Sequence, residues 1–278
     1  MQKPPSTTQP GVSVLDNNQG LPGMVNPAAD IGTTSLQHMP QSNQDAKEKT
    51  LAMTNIKKTT PKSKIVLDER IIVQGGSIKT WSFHSPRIER AKVTLTSDGR
   101  PIDVDVDSWQ GPDSTPYQMR LYTENGKERP IRLMMETPRT SNTIAVRNTG
   151  QMEFPVIADV EANLDEVPLA AKLVDAESSI IIQGGALRSY PFDANVDQVQ
   201  VLLMTNGLPM HARIELLHGP NNIKQTFELY AENGSDRPFY AVMESPGTGN
   251  VVRIVNAGSM EFPIYAWVAP FESEQQQQ

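Results

Sequence analysis

Apolar and polar side chains alternate with a period of two through much of this chain. Val104 and Val106 share one face while Asp103, Asp105 and Asp107 share the other. Met119 and Leu121 oppose Arg120 and Tyr122, and Ile131, Leu133 and Met135 oppose Arg132, Met134 and Glu136. Such alternation marks strands with one face in a core. The parity returns about 108 residues later, in Ala212 and Ile214, Phe227 and Leu229, then Phe239, Ala241 and Met243. Turn signals separate the runs: Gly75-Gly76, Asp98-Gly99, Gly111-Pro112, Asn125-Gly126 and Asn148-Thr149-Gly150. Their counterparts are Gly184-Gly185, Asn206-Gly207, Gly219-Pro220, Asn233-Gly234 and Asn256-Ala257-Gly258. Short strands with frequent turns predict an antiparallel β-sandwich of about seven strands, present twice.

The duplication is literal in places. LYTENGKERPIRLMMETP returns as LYAENGSDRPFYAVMESP, and RNTGQMEFPV as VNAGSMEFPI. Gln74 pairs with Gln183 at a spacing of 109, Gly99 with Gly207 at 108. One residue is therefore lost between Phe83 and Gly99, and the loop at residues 85–90 is the expected place. The predicted organisation is all-β: a disordered tail over residues 1–62, a sandwich over 63–161, a linker over 162–177, a second sandwich over 178–272, and a disordered C-terminus over 273–278. The linker has room for one helical turn within Leu164–Glu177.

Composition sharpens this division. Residues 1–62 contain no aromatic side chain and are rich in Pro, Gln, Ser, Thr and Asn, too little apolar surface to offset the entropy of ordering. Only Asp45–Lys58, with Leu51, Ala52 and Ile56, has helical character. Residues 1–64 hold seven lysines against four acids, so +3, leaving −10 for the rest of a chain of net charge −7. An acidic body excludes nucleic acid as the main partner, because phosphate binding needs a concentrated basic face. A basic tail and an acidic body allow one copy's tail to meet another copy's body. No apolar run reaches the ~20 residues of a membrane span, and no hydrophobic leader follows Met1, so a soluble chain with any targeting segment already removed is expected. Cysteine is absent, which removes disulfides, thiolate metal sites and thiol nucleophiles.

Catalytic chemistry finds little support. The histidines are His38, His84, His211 and His218, and the last three match Asp193, Asp103 and Gln110 in the other repeat. No HExxH or phosphate-loop spacing occurs. Asp103, Asp105 and Asp107 are the best metal candidates, but alternate residues of a strand lie ~7 Å apart and rarely converge on one ion. Their counterparts, His211, Arg213 and Glu215, would not rebuild the site. Glu124/Glu232, Glu136/Glu244 and Glu153/Glu261 recur without other catalytic signatures. The expectation is no enzyme, no metal and no cofactor.

The off-core faces are more informative. Trp109/Leu217, Tyr122/Tyr230 and Met134/Val242 occupy outward parity in both copies, and Tyr240 joins them. Clustered, they would make an apolar patch of the kind that recruits protein. Asp105 on one copy and Arg213 on the other supply complementary stripes. Together these nine residues are the candidate interface, its partner a second copy of the chain. A different reading is a tandem module that binds a carbohydrate or other small ligand, with Trp81, Trp109 and Trp267 as stacking platforms.

The phrases IIVQGGSIKTWSF, SDGRPIDVDVDSWQGPD, LYTENGKERPIRLMMETP and RNTGQMEFPV resemble the pyrenoid shell proteins of diatoms and related algae. The resemblance runs from about Ile65 to Phe271 and leaves out the tail. The second repeat departs from it at Tyr190 for Trp81, Leu217 for Trp109, and HGPN for QGPD. It implies a chloroplast protein of the stroma, at the pyrenoid periphery, that assembles into a sheet around the Rubisco-rich condensate and supports CO2 fixation. It carries no catalytic residues to this chain. Implied partners are further copies of itself, with Rubisco or other pyrenoid proteins beyond them.

Overall fold

The computed structural model describes residues 70–271, except 86–87, 139–140, 164–172 and 175–176. The expected tail, its Asp45–Lys58 helix, His38 and the expected C-terminal disorder lie outside the described residues.

Each repeat contributes eight strands, one more than the alternation predicts. The first holds β1 (Ile71–Val73), β2 (Ile78–Phe83), β3 (Arg90–Thr96), β4 (Ile102–Gln110), β5 (Tyr117–Thr123), β6 (Ile131–Glu136), β7 (Asn142–Asn148) and β8 (Val156–Asn163). The second holds β9 (Ile180–Ile182), β10 (Leu187–Pro191), β11 (Gln198–Met204), β12 (Met210–His218), β13 (Ile223–Ala231), β14 (Phe239–Glu244), β15 (Asn250–Asn256) and β16 (Ile264–Pro270). β3 and β11 begin 108 apart, β2 and β10 begin 109 apart, so the lost residue falls in the loop before β3, as expected. Within β4, inward Val104 and Val106 are buried and Asp103, Asp105 and Asp107 are half-buried on the outside.

The repeats are not merely neighbours. Their sheets run on from one repeat into the other, in two eight-stranded antiparallel layers. Sheet A is ordered β1-β8-β3-β6-β14-β11-β16-β9, and sheet B is ordered β10-β15-β12-β13-β5-β4-β7-β2. The seams are β6·β14 and β5·β13, each a pairing of equivalent strands. At one, Ala241 stands opposite Leu133; at the other, Glu228 stands opposite Arg120. Both pairs are counterparts in the repeat, and an antiparallel pair in which a residue faces its own counterpart is what a two-fold axis generates. An internal pseudo-two-fold therefore passes through both seams.

One apolar core fills the space between the layers across both repeats. Phe227 of β13 and Phe239 of β14 meet across it edge to face, with ring centroids 6.1 Å apart. Polar ties lock the seams from outside. Arg132 pairs with Glu244, Lys224 Nζ donates to Glu124 at 2.7 Å, and Arg237 Nη2 donates to Gln110 Oε1 at 3.1 Å. Inside, Gln225 Nε2 donates to the Arg129 carbonyl at 2.9 Å.

Candidate assembly surfaces

The outer face of sheet B carries the pseudo-two-fold at its centre. Tyr122 and Tyr230, related by that axis, are 38% and 40% exposed. Beside Tyr230 lies a shallow depression of about 360 Å³, lined among others by Asp105, Asp107, Arg120, His211 and Glu228. His211 meets Tyr230 edge-on at 6.5 Å. Arg120 Nη2 donates to both Asp103 oxygens at 3.2 Å, and its Nη1 lies 3.9 Å from Asp105. Burial, then the neighbouring Asp105 charge, push the Asp107 carboxyl above its usual range, against the pull of Arg147 and a hydrogen bond from Trp109.

Asp105 and Arg213, expected to complement one another, are each engaged elsewhere within the chain. Arg213 lies 3.2 Å from Glu215 and 3.9 Å from Glu228. Two strands, β5 and β13, separate the two stripes. Among the described residues no group of three His, Asp or Glu side chains is placed to hold an ion, and Asp103 and Asp105 both face Arg120.

The remaining candidates divide unevenly. Trp109 is half-buried on the outside of β4. Leu217, its counterpart, is only 3% exposed although it keeps its register with Val251 of β15; β13 places an extra residue, Lys224, opposite the Leu216–Leu217 step. Tyr240 and Val242 do face outward from sheet A, but they are 4% and 8% exposed. Leu173 covers them. It packs in a satellite cluster with Leu202, Tyr240, Val242 and Ala269, against which Met134 and Trp267 also rest. A helical turn holds it there: Glu177 N donates to Leu173 O at 3.0 Å, and Trp267 Nε1 donates to Glu177 O at 3.1 Å. Burial pushes the Tyr240 hydroxyl well above its usual range, and that hydroxyl donates to Gln200 Oε1 at 3.1 Å. Leu217, Tyr240 and Val242 are thus not available as surface residues.

The tryptophans share no face. Trp81 is in the core, Trp109 lies outside sheet B, and Trp267 lies outside sheet A.

The two ends of the double sheet present apolar side chains that the alternation does not single out. Ile72 and Met152 are exposed at one end, and Ile181, Leu187 and Met260 at the other. Met152 and Met260 are 80% and 81% exposed at the tips of equivalent turns. A buried asparagine organises each tip. Asn148 Nδ2 donates to Val73 O at 2.9 Å and Phe154 O at 2.8 Å, while its Oδ1 accepts from Gly150 N at 2.9 Å. Asn256 repeats this with Ile182 O at 2.9 Å, Phe262 O at 2.8 Å and Gly258 N at 2.9 Å. The tip also lies hard against the loop after the edge strand: a Cβ on Gly75 would stand 2.1 Å from Gln151 O, and one on Gly184 1.9 Å from Ser259 O. Only glycine fits there. The readable signal was the phrase MEFP, a methionine repeated inside a polar turn.

Fold and surfaces together define a duplicated all-β protein whose two halves close on one another about a pseudo-two-fold. The chain belongs to the diatom pyrenoid shell protein family, whose model matches residues 62–270. No curated protein matches the sequence. Among solved structures, one concerning the substrate binding mode and a reaction specificity switch of oxalate decarboxylase is similar at 8% identity and a TM-score of 0.20, over 73% of this chain and 68% of that one. A likeness that weak carries no argument.

Proposed function

We propose that this chain is a non-enzymatic structural protein that assembles with copies of itself into a sheet enclosing the Rubisco-rich pyrenoid. Its place is the plastid stroma at the pyrenoid periphery, where the sheet confines carbon fixation and gives the compartment its boundary. Family membership supports the shell role. The observation that carries self-assembly is the pair of exposed tyrosines, Tyr122 and Tyr230, related by the internal axis on the outer face of sheet B. Two equivalent sticky positions on one chain let each copy touch more than one neighbour, and contacts that do not close extend into sheets.

Negative-stain images of the purified full chain test this directly. Sheets or tubes are expected, whereas dispersed single particles at high concentration in plastid-like salt would overturn the reading. Replacing both tyrosines (Tyr122→Asp with Tyr230→Asp) is expected to leave the fold intact by circular dichroism. The concentration needed for sheets should rise at least ~10-fold, on the order expected when an apolar anchor in a contact is replaced by a charge.

A further inference from the structure

Among the described residues, nine large apolar or aromatic side chains are exposed, and five of them lie at the two ends of the double sheet. Four of the five are repeat counterparts: Ile72 with Ile181, and Met152 with Met260. The exposure recurs at matching positions on matching tips, held by the equivalent buried asparagines Asn148 and Asn256. The ends are also where the sheets stop. The inner edges, β5, β6, β13 and β14, are consumed at the seams, and β1, β2, β9 and β10 are the outermost strands.

Backbone addition is poorly served at three of the four outermost strands, the six-residue β2 being the exception. β1 and β9 have three residues each, and β10 ends in Pro191, features that blunt an edge against strand pairing. What projects past the blunted edge is side chain: isoleucine and methionine, the latter well suited to fill an irregular partner surface.

The ends differ in charge. The first exposes Arg70, Lys79 and Arg147 with Glu153. The corresponding positions at the second are Ser179, Arg188, Val255 and Glu261. Over these matching described positions the first end carries three cations and one anion, net +2, and the second one of each, net zero. Two first ends facing each other would oppose Arg70, Lys79 and Arg147 to their own copies, whereas a first end facing a second avoids that clash and brings Glu261 within the field of those cations.

We propose that a second copy of this chain is the partner of each end, joined head to tail: the Ile72/Met152 end of one copy against the Ile181/Leu187/Met260 end of the next. The contact is heterologous, so it propagates as a row instead of stopping at a dimer. This rests on the self-assembly proposed above and names one of its contacts.

Two sets of full-length variants test it. Met152→Glu and Met260→Glu, each made alone, place a charge on a tip that is already solvent-exposed, so both are expected to fold with unchanged melting. Each should raise the concentration for sheet formation at least ~10-fold over wild type. The chain has no cysteine, so Met152→Cys and Met260→Cys report polarity cleanly. Under a short thiol crosslinker the mixed variants should link in assemblies, and either variant alone should link far less. Wild-type sheets from either glutamate variant would remove the ends from the lattice while leaving self-assembly standing. Crosslinks within a single cysteine variant as strong as in the mixture would overturn the head-to-tail polarity. Failure of the wild-type chain to form sheets would overturn both readings together.

Discussion

Asn148 and Asn256 show how one side-chain type can set the shape of a whole surface. Each is buried, each spends its amide group on two carbonyls, and each turns its oxygen back to a glycine amide in the following turn. Replacing Asn148 by Ala leaves the Val73 and Phe154 carbonyls without this donor at a position that is 1% exposed. Leaving a buried polar group unpaired costs about 1–3 kcal/mol, so Asn148→Ala should lose at least about 2 kcal/mol in urea unfolding. Asn256→Ala should lose a similar amount, because its partners are the same. An effect below about 0.5 kcal/mol, the size of an ordinary surface substitution, would show that the staple is incidental. In the sequence these asparagines read only as turn markers. Parity, by contrast, was plain: Val104, Met119, Leu133 and Phe227 point inward as the alternation requires. A side chain's facing is local information. What it bonds to across 70 residues is not.

The same limit shows at the level of elements. Tyr240 and Val242 face away from the main core as their parity requires, yet both are buried beneath Leu173, a residue from the stretch read as a linker with room for one helical turn. Nothing periodic announces such a cover, since one leucine in a short connection has no pattern to belong to. β1 and β9 escaped notice for a related reason, as three residues are too few to display alternation. Leu173 is 2% exposed and meets aromatic and aliphatic neighbours from β11, β14 and β16. Truncating a buried leucine costs about 2–5 kcal/mol where the surroundings cannot close the gap. Leu173→Ala should lower stability by the lower part of that range, about 2 kcal/mol, and increase binding of a hydrophobic dye as Tyr240, Val242 and Leu202 become accessible. Unchanged dye binding and an unchanged unfolding midpoint would mean that the turn rests on sheet A without holding it.

At the scale of the molecule, duplication was legible from the first matching phrases, but the joining of the two copies was not. Sequence similarity between Arg120 and Glu228 positions says that they are counterparts; only the fold puts one opposite the other. A true two-fold dimer would set Arg against Arg or Glu against Glu at that point, and this chain sets Arg against Glu. Divergence of the repeats has relieved a like-charge clash on the axis that identical halves could not avoid. The consequence is cooperativity. Backbone ladders cross both seams, and the core is one cluster running through both repeats, so neither half keeps its edge strands or its inner packing if the other opens. Scanning calorimetry should therefore show one transition for residues 61–278, with calorimetric and van't Hoff enthalpies in agreement. Single substitutions in either half, Phe227→Ala in the second or Leu121→Ala in the first, should shift that one transition as a whole. Two resolved transitions, each moved by substitutions in its own half alone, would mean that the sheets merely touch at β5·β13 and β6·β14. The repeats would then be independent domains, and their surfaces could turn relative to one another instead of being held in the fixed geometry that a regular sheet of copies requires.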